Sequence, residues 1–140
     1  MKKNISLKSR NKTAIVTGAS RGIGKAISKV FAKKGYNLVL ISRTKETLKD
    51  LKSELKKYDN KILIIPADIT KGNEVKSIYK EVFANFAKVD VLVNNAGNGI
   101  FKPIEAITTK DWDTVMNLNV KGTFLMTKEL IKHFKEAKEG

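Results

Sequence analysis

The sequence predicts an α/β chain built on a parallel sheet covered by helices on both faces. Three observations carry this expectation. Short apolar runs alternate with longer amphipathic stretches along the chain. Those runs are apolar at consecutive positions, as strands buried on both faces are. No linker, low-complexity tract or tandem repeat interrupts the alternation, so residues 12–140 read as one domain, with residues 1–11 as a basic extension.

The elements follow in order. Thr13-Ala-Ile-Val16 is a short buried strand. Ile23, Ala26, Ile27, Val30 and Phe31 then recur at helical spacing, and Gly35 closes that helix. Leu38-Val-Leu-Ile41 is the second strand, and Leu48, Leu51, Leu55 and Tyr58 form the stripe of the second helix. Ile62-Leu-Ile-Ile65 is the third strand, with Pro66 just beyond it, where no ladder bond is lost. Val75, Ile78, Tyr79, Val82, Phe83 and Phe86 mark the third helix, and Val89-Asp-Val-Leu-Val93 the fourth strand. Thr108 with Asp111 three residues on has the form of a capping box. The spacing after it predicts one helix from about Thr109 to Ala137, with Gly140 as its C-terminal cap.

Composition narrows the function. The chain has no cysteine, which removes disulfides, thiolate metal ligands and a Cys nucleophile. Its one histidine, His133, argues against a His-rich metal site or a Ser-His-Asp triad; it is expected on exposed surface, and no metal site is predicted. The longest apolar runs are too short to span a bilayer, and the start Met1-Lys-Lys-Asn-Ile-Ser-Leu-Lys lacks the apolar core of a secretory signal, so a cytoplasmic protein is expected. Lys and Arg number 28 against 14 Asp and Glu, a formal charge of +14. The excess is concentrated: Lys2, Lys3, Lys8, Arg10, Lys12, Arg21, Lys25, Lys29, Lys33, Lys34, Arg43 and Lys45 precede the first acid, Glu46. Such a block could attract nucleic acid, an anionic membrane or an anionic small ligand. The chain lacks helix-turn-helix and aromatic-stacking signals, so nucleic acid is not the expected partner, and its apolar runs are too short for a membrane partner to be expected. The lysines as a group read equally well as lysine-rich composition, whereas Arg21 and Arg43 fall where a function can be attached.

The turn after the first strand carries the strongest chemistry. Thr17-Gly-Ala-Ser-Arg-Gly-Ile-Gly24 leaves a strand and opens a helix. Glycines there permit a tight turn and let main-chain N–H groups approach a diphosphate, and the helix start adds a partial positive charge. The spacing is Gly-x-x-x-Gly-x-Gly rather than the commoner Gly-x-Gly-x-x-Gly.

That turn, together with Asn94-Asn-Ala-Gly97 after the fourth strand, resembles the short-chain dehydrogenase/reductase family. Asp68, just after the third strand, matches the family's Asp near the adenine ring. Asn119, in Met116-Asn-Leu-Asn-Val-Lys-Gly122, resembles its catalytic-helix Asn. The resemblance runs from Lys12 to the end of the chain. It implies a Rossmann-like doubly wound sheet of order 3-2-1-4 that stops before a fifth strand. It implies that Gly18, Ser20, Arg21, Gly22, Ile23, Gly24, Ser42, Arg43, Asp68, Ile69, Asn95, Ala96 and Gly97 hold cofactor. Asn119 would organise a water or the Lys of a proton relay. Structural alternatives stay open: Asp68 capping its own loop, and Asn94 and Asn95 as turn formers bonded to local backbone.

Cofactor choice is readable at the end of the second strand. NAD-selective sites place an acid there for the ribose 2′-OH. Here the residues are Ile41-Ser42-Arg43-Thr44, with no acid. Arg43 can bind a 2′-phosphate through charge-assisted hydrogen bonds. Arg21 could reach the same group, and Ser42 or Ser20 could donate to it, so NADP(H) is the expected cofactor.

The rest of the family's machinery is absent from these residues. The resemblance implies a Tyr acid, a Lys four residues later and a Ser, but none of Tyr36, Tyr58 and Tyr79 is followed by that Lys, and Ser77 precedes Asn95. The chain is therefore expected to lack turnover alone. Its parent would move hydride between NADPH and a carbonyl or alcohol. A non-catalytic nucleotide-binding module, or a shortened product with a partner-binding role, is the alternative. The fourth strand would leave an open apolar edge, and the last helix would expose Val120, Phe124, Leu125 and Ile131, so self-association is expected. Asn98-Gly-Ile-Phe-Lys-Pro103 is the only substrate-side piece, too short to name a substrate.

Overall fold

A computed structural model describes residues 12–138. The basic extension over residues 1–11 and the proposed cap at Gly140 lie outside the described residues. Four parallel strands, β1 (Thr13–Thr17), β2 (Asn37–Ser42), β3 (Ile62–Pro66) and β4 (Val91–Val93), form one sheet in the order β3-β2-β1-β4. This is the Rossmann-like arrangement, and the strand order, that the resemblance implies. Ile15 is level with Val39 on one side and Leu92 on the other, and Val39 with Leu63.

The sheet is apolar on both faces because alternate side chains feed two cores. Ile15, Val39, Ile41 and Ile65 pack on Val75, Ile78 and Val82 of α3 (Gly72–Asn85) and on Met126 and Leu130 of α5 (Thr123–Ala137). Ala14, Val16, Leu38 and Leu40 face the other way. They meet Ala32 of α1 (Gly22–Lys33) and Leu48, Leu51 and Leu55 of α2 (Lys45–Leu55). Each fully buried Leu or Ile contributes about 1.5–3 kcal/mol relative to exposure. That is why the apolar runs, rather than any local propensity, mark the strands of the core.

Four sequence expectations change. The fourth strand begins at Val91, not Val89, because Asp90 turns its carboxylate onto the Thr13 N–H (2.8 Å), where a main-chain acceptor would continue the ladder. His133 is half-buried rather than exposed: its Nε2 accepts from the Val89 N–H (3.2 Å), and its ring lies 4.9 Å from that of Phe83. Leu125 packs on the α3–α5 core, while Val120, Phe124 and Ile131 remain exposed. The long last helix is continuous but not uniform. After α4 (Thr109–Met116), residues Asn117–Gly122 widen into a π-helical segment before α5, and the chain leaves α5 at Lys138 with φ +54°. The capping box forms as its residues predict: Thr108 Oγ1 accepts from the Asp111 N–H (3.1 Å), and Asp111 Oδ2 from the Thr108 N–H (3.0 Å).

Candidate functional site

The C-terminal ends of the strands point to one side of the sheet, and the loops leaving them enclose a cavity of about 570 Å³. Its wall includes Gly18, Ser20, Arg21, Gly22 and Ile23 from the turn after β1, and Ser42 and Arg43 after β2. Asp68 and Ile69 after β3, and Asn95, Ala96 and Gly97 after β4, complete it. Twelve of the thirteen residues that the sequence singles out for cofactor are thus gathered around one space. Gly24 is the exception. It is buried beneath the turn, where a Cβ would collide with the Gly18 carbonyl and Asn95 Nδ2, so its task is to let helix and turn meet.

Gly18 needs to be glycine on two counts. Its φ is +63°, and a Cβ would stand 2.8 Å from Ala96 Cα. The turn then delivers α1 with Arg21 as its N-cap, no side-chain cap and no acid in the first turn. Its leading N–H groups and the positive end of its dipole are therefore left for an anion. These features fit a dinucleotide diphosphate, the group such strand–turn–helix units accommodate.

A residue that sequence reasoning passed over holds the turn to its neighbour. The Thr17 hydroxyl, fully buried at the end of β1, donates to the Val93 carbonyl (3.2 Å) and accepts from the N–H groups of Asn95 and Ala96 (3.0 Å each). Asn95 answers with its side chain: Nδ2 donates to the carbonyls of Thr17 (3.0 Å) and Gly18 (3.2 Å). The Asn95 side chain is thus not bonded to its own loop; it clamps the glycine turn from across the sheet. The available signal was a hydroxyl at the last position of an otherwise apolar strand. Asn94 Nδ2 donates instead to Thr127 Oγ1 on α5 (3.1 Å).

Asp68 keeps a charge at the cavity wall. Burial opposes its ionisation, but the N–H (3.0 Å) and hydroxyl (2.8 Å) of Thr70 and the charges of Lys71 and Arg43 outweigh that, and its pKa is lowered. The loop-capping reading of Asp68 therefore holds alongside its place in the cavity. Ile69 is buried, with its side chain 3.0 Å from where a Cβ on Gly122 would lie, so Gly122 lets the π segment approach the cavity floor. Ser42 and Thr47 both donate to the Thr44 carbonyl (3.2 and 2.9 Å), which shapes the rim beside Arg43.

These observations place the glycine turn, Asp68, Asn95 and Asn119 in the order in which the resembling family carries its motifs. The family model for short chain dehydrogenases matches residues 12–140. The chain belongs to the short-chain dehydrogenase family. It is 41% identical over 115 residues to the 3-oxoacyl-[acyl-carrier-protein] reductase FabG of Staphylococcus epidermidis, covering 81% of this chain and 47% of that protein. A metagenomic short-chain oxidoreductase solved in complex with NADP superposes with a TM-score of 0.90 at 31% identity, over 94% of this chain and 60% of that one. The 3-ketoacyl-(acyl-carrier-protein) reductase of Brucella melitensis, solved with NADH, gives 0.85 at 37% identity, over 92% and 53%. The chain spans about half the length of the curated relatives it matches.

In this short-chain dehydrogenase chain Asn119 stands outside the cavity wall, in the π segment. Its Oδ1 accepts from the Asn98 N–H (2.9 Å) and its Nδ2 donates to the Asn98 carbonyl (2.8 Å), so it fastens the loop that follows Asn95-Ala-Gly97. π-Helical turns of this kind recur at functional sites. Tyr79 offers no substitute acid: it is buried, it donates to the Met126 carbonyl (2.8 Å), and burial, with Glu129, raises its pKa further.

Proposed function

We propose that this chain is the NADP(H)-binding portion of an oxidoreductase that moves hydride between NADPH and a carbonyl or alcohol substrate. One observation carries the reading: the cavity wall runs from the glycine turn to Ser42 and Arg43, and it has no acid at the end of β2. In this reading the start of α1 and the turn from Gly18 to Ile23 hold the diphosphate. Arg43, with Arg21 and Ser42 near it, takes the 2′-phosphate. Asp68 and Ile69 border the adenine, and Asn95, Ala96 and Gly97 border the far half of the dinucleotide. The cofactor, when bound, supplies the hydride. Asn119 acts as a positioning residue for the loop at Asn98, next to which the reacting groups of the whole protein would work.

Hydrogen bonds to a charged group contribute about 1.5–3 kcal/mol, which is about a tenfold to hundredfold preference for NADPH over NADH. Fluorescence titration with both nucleotides tests this. Arg43→Asp should abolish the preference, because an acid there repels the 2′-phosphate and accepts from a free 2′-OH. An Arg43→Asp chain that still discriminates for the 2′-phosphate would overturn it.

Two further properties belong to the same proposal. The protein works in the cytoplasm; no helix among the described residues is long and apolar enough to cross a membrane. The chain also self-associates, through the outer edge of β4 or the face bearing Val120, Phe124 and Ile131, which supply unpaired main chain and exposed apolar surface. Sedimentation velocity showing a monomer at high concentration would contradict that.

A further inference from the structure

We propose that α1 carries a cationic track that steers the dinucleotide into its cavity, an inference that rests on the dinucleotide reading above. The residues are Arg21, Lys25, Lys29 and Lys33. They recur every four positions, one residue beyond the buried row Gly24, Ser28 and Ala32, so they line the flank of the helix that the sheet does not cover. Arg21 stands in the cavity wall. With a rise of about 1.5 Å per residue, Lys33 lies about 18 Å away along the helix. Helix α1 carries no acid of its own. Its counter-charge comes from α2: Glu54 takes Lys25 at 2.5 Å and Lys29 at 2.8 Å, and these two lysines hold its pKa at about 2. One carboxylate thus partly offsets two lysines, and Lys33 and Arg21 have no acid opposite them among the ion pairs of the described residues.

A phosphorylated dinucleotide carries about three to four negative charges near neutral pH. Such a ligand, approaching from the α1 side, meets an attractive potential along a row of positive charges that ends at its cavity. Contact is unnecessary: Lys29 and Lys33 act on the encounter and not on the bound state. That separates them from Arg43, which acts on the bound state. The range is set by salt, with a screening length of about 30 Å at 0.01 M and about 8 Å at 0.15 M. The whole track works at low ionic strength, and only its Arg21–Lys25 end near physiological salt.

Stopped-flow mixing of the chain with NADPH, followed by nucleotide fluorescence across that salt range, tests the inference. The association rate constant of the native chain should fall by about tenfold from low to physiological salt, within the span known for steered encounters. Lys29→Glu with Lys33→Glu should lower it by about threefold to tenfold at low salt and flatten its salt dependence, leaving the dissociation rate constant within about twofold. Glu54→Gln, which removes the counter-charge, should raise association. Lys33→Gln, at an exposed helix end, repeats the test where the double variant loses its native melting profile. Association that ignores these substitutions, or an effect confined to dissociation, overturns the steering role while leaving the dinucleotide reading intact. A native chain that gives no NADPH transient overturns both.

Discussion

Replacing Thr17 by Val should uncouple the two turns that frame the cavity. Valine keeps the shape of the side chain and its preference for a strand, so the perturbation is the hydroxyl alone. In the native chain that hydroxyl closes three hydrogen bonds, to the carbonyl of Val93 and from the N–H groups of Asn95 and Ala96. The Asn95 N–H and the Val93 carbonyl keep each other as partners (3.1 Å), so valine strands chiefly the Ala96 N–H, at a half-buried residue. Each unsatisfied buried group costs about 1–3 kcal/mol. With one group stranded, about 1–3 kcal/mol of stability should be lost. For a chain of this length that lowers Tm by about 3–12 °C. Urea unfolding gives the free energy directly, and Thr17→Ser is the control, because it restores the hydroxyl while removing only a methyl group. The serine variant should recover most of the loss, and NADPH affinity should fall with Thr17→Val and return with Thr17→Ser. Equal stability of the valine and serine variants would refute the role given to the hydroxyl.

Other substitutions follow from the same geometry. Gly24→Ala should destabilise by about 1–3 kcal/mol or more, since its methyl would meet the Gly18 carbonyl, whereas Gly72→Ala, with nothing within 4 Å, should stabilise by about 0.4–1 kcal/mol; urea melts of the pair compare them directly. Asp111 is held at about 2, chiefly by its bond to Lys102 and then by Thr108. A lowered carboxyl contributes stability above its ordinary value that is lost as pH falls through the folded one. The Tm gap between the native chain and Asp111→Asn should therefore be full at pH 7, shrink below about pH 4 and close toward pH 2. A gap that does not change with pH would count against the Lys102–Asp111 bond.

The fold was readable because both of its cores are written as runs. Leu38-Val-Leu-Ile41 sends Leu38 and Leu40 to one face and Val39 and Ile41 to the other, and no loop could bury all four. Periodicity speaks of burial, however, and says little where polar atoms replace main-chain partners. Val89 and Asp90 look like strand by composition, yet the Asp90 carboxylate takes the Thr13 N–H and His133 takes the Val89 N–H. His133 was misread for the same reason: a lone histidine near a helix end has no sequence signature for a backbone acceptor forty-four positions away. The π segment was also silent, because Val120 and Phe124 at spacing four suit an α-helix as well as a widened one.

The candidate site was legible as a set of residues but not as a mechanism of support. Glycine positions announce where main chain must come close, and Gly18 and Gly24 do so. What they come close to is fixed by pairs of polar groups on different elements. Thr17 and Asn95 tie the end of β1 to the loop after β4, and Asn119 ties that loop, through Asn98, to the helix beyond it. The short segment from Asn95 to Asn98 is thus hydrogen-bonded at one end to the glycine turn and at the other to the π segment. This gives Asn119 a physical task within these residues: it fastens the loop beside Gly97, whose other end is tied to the glycine turn.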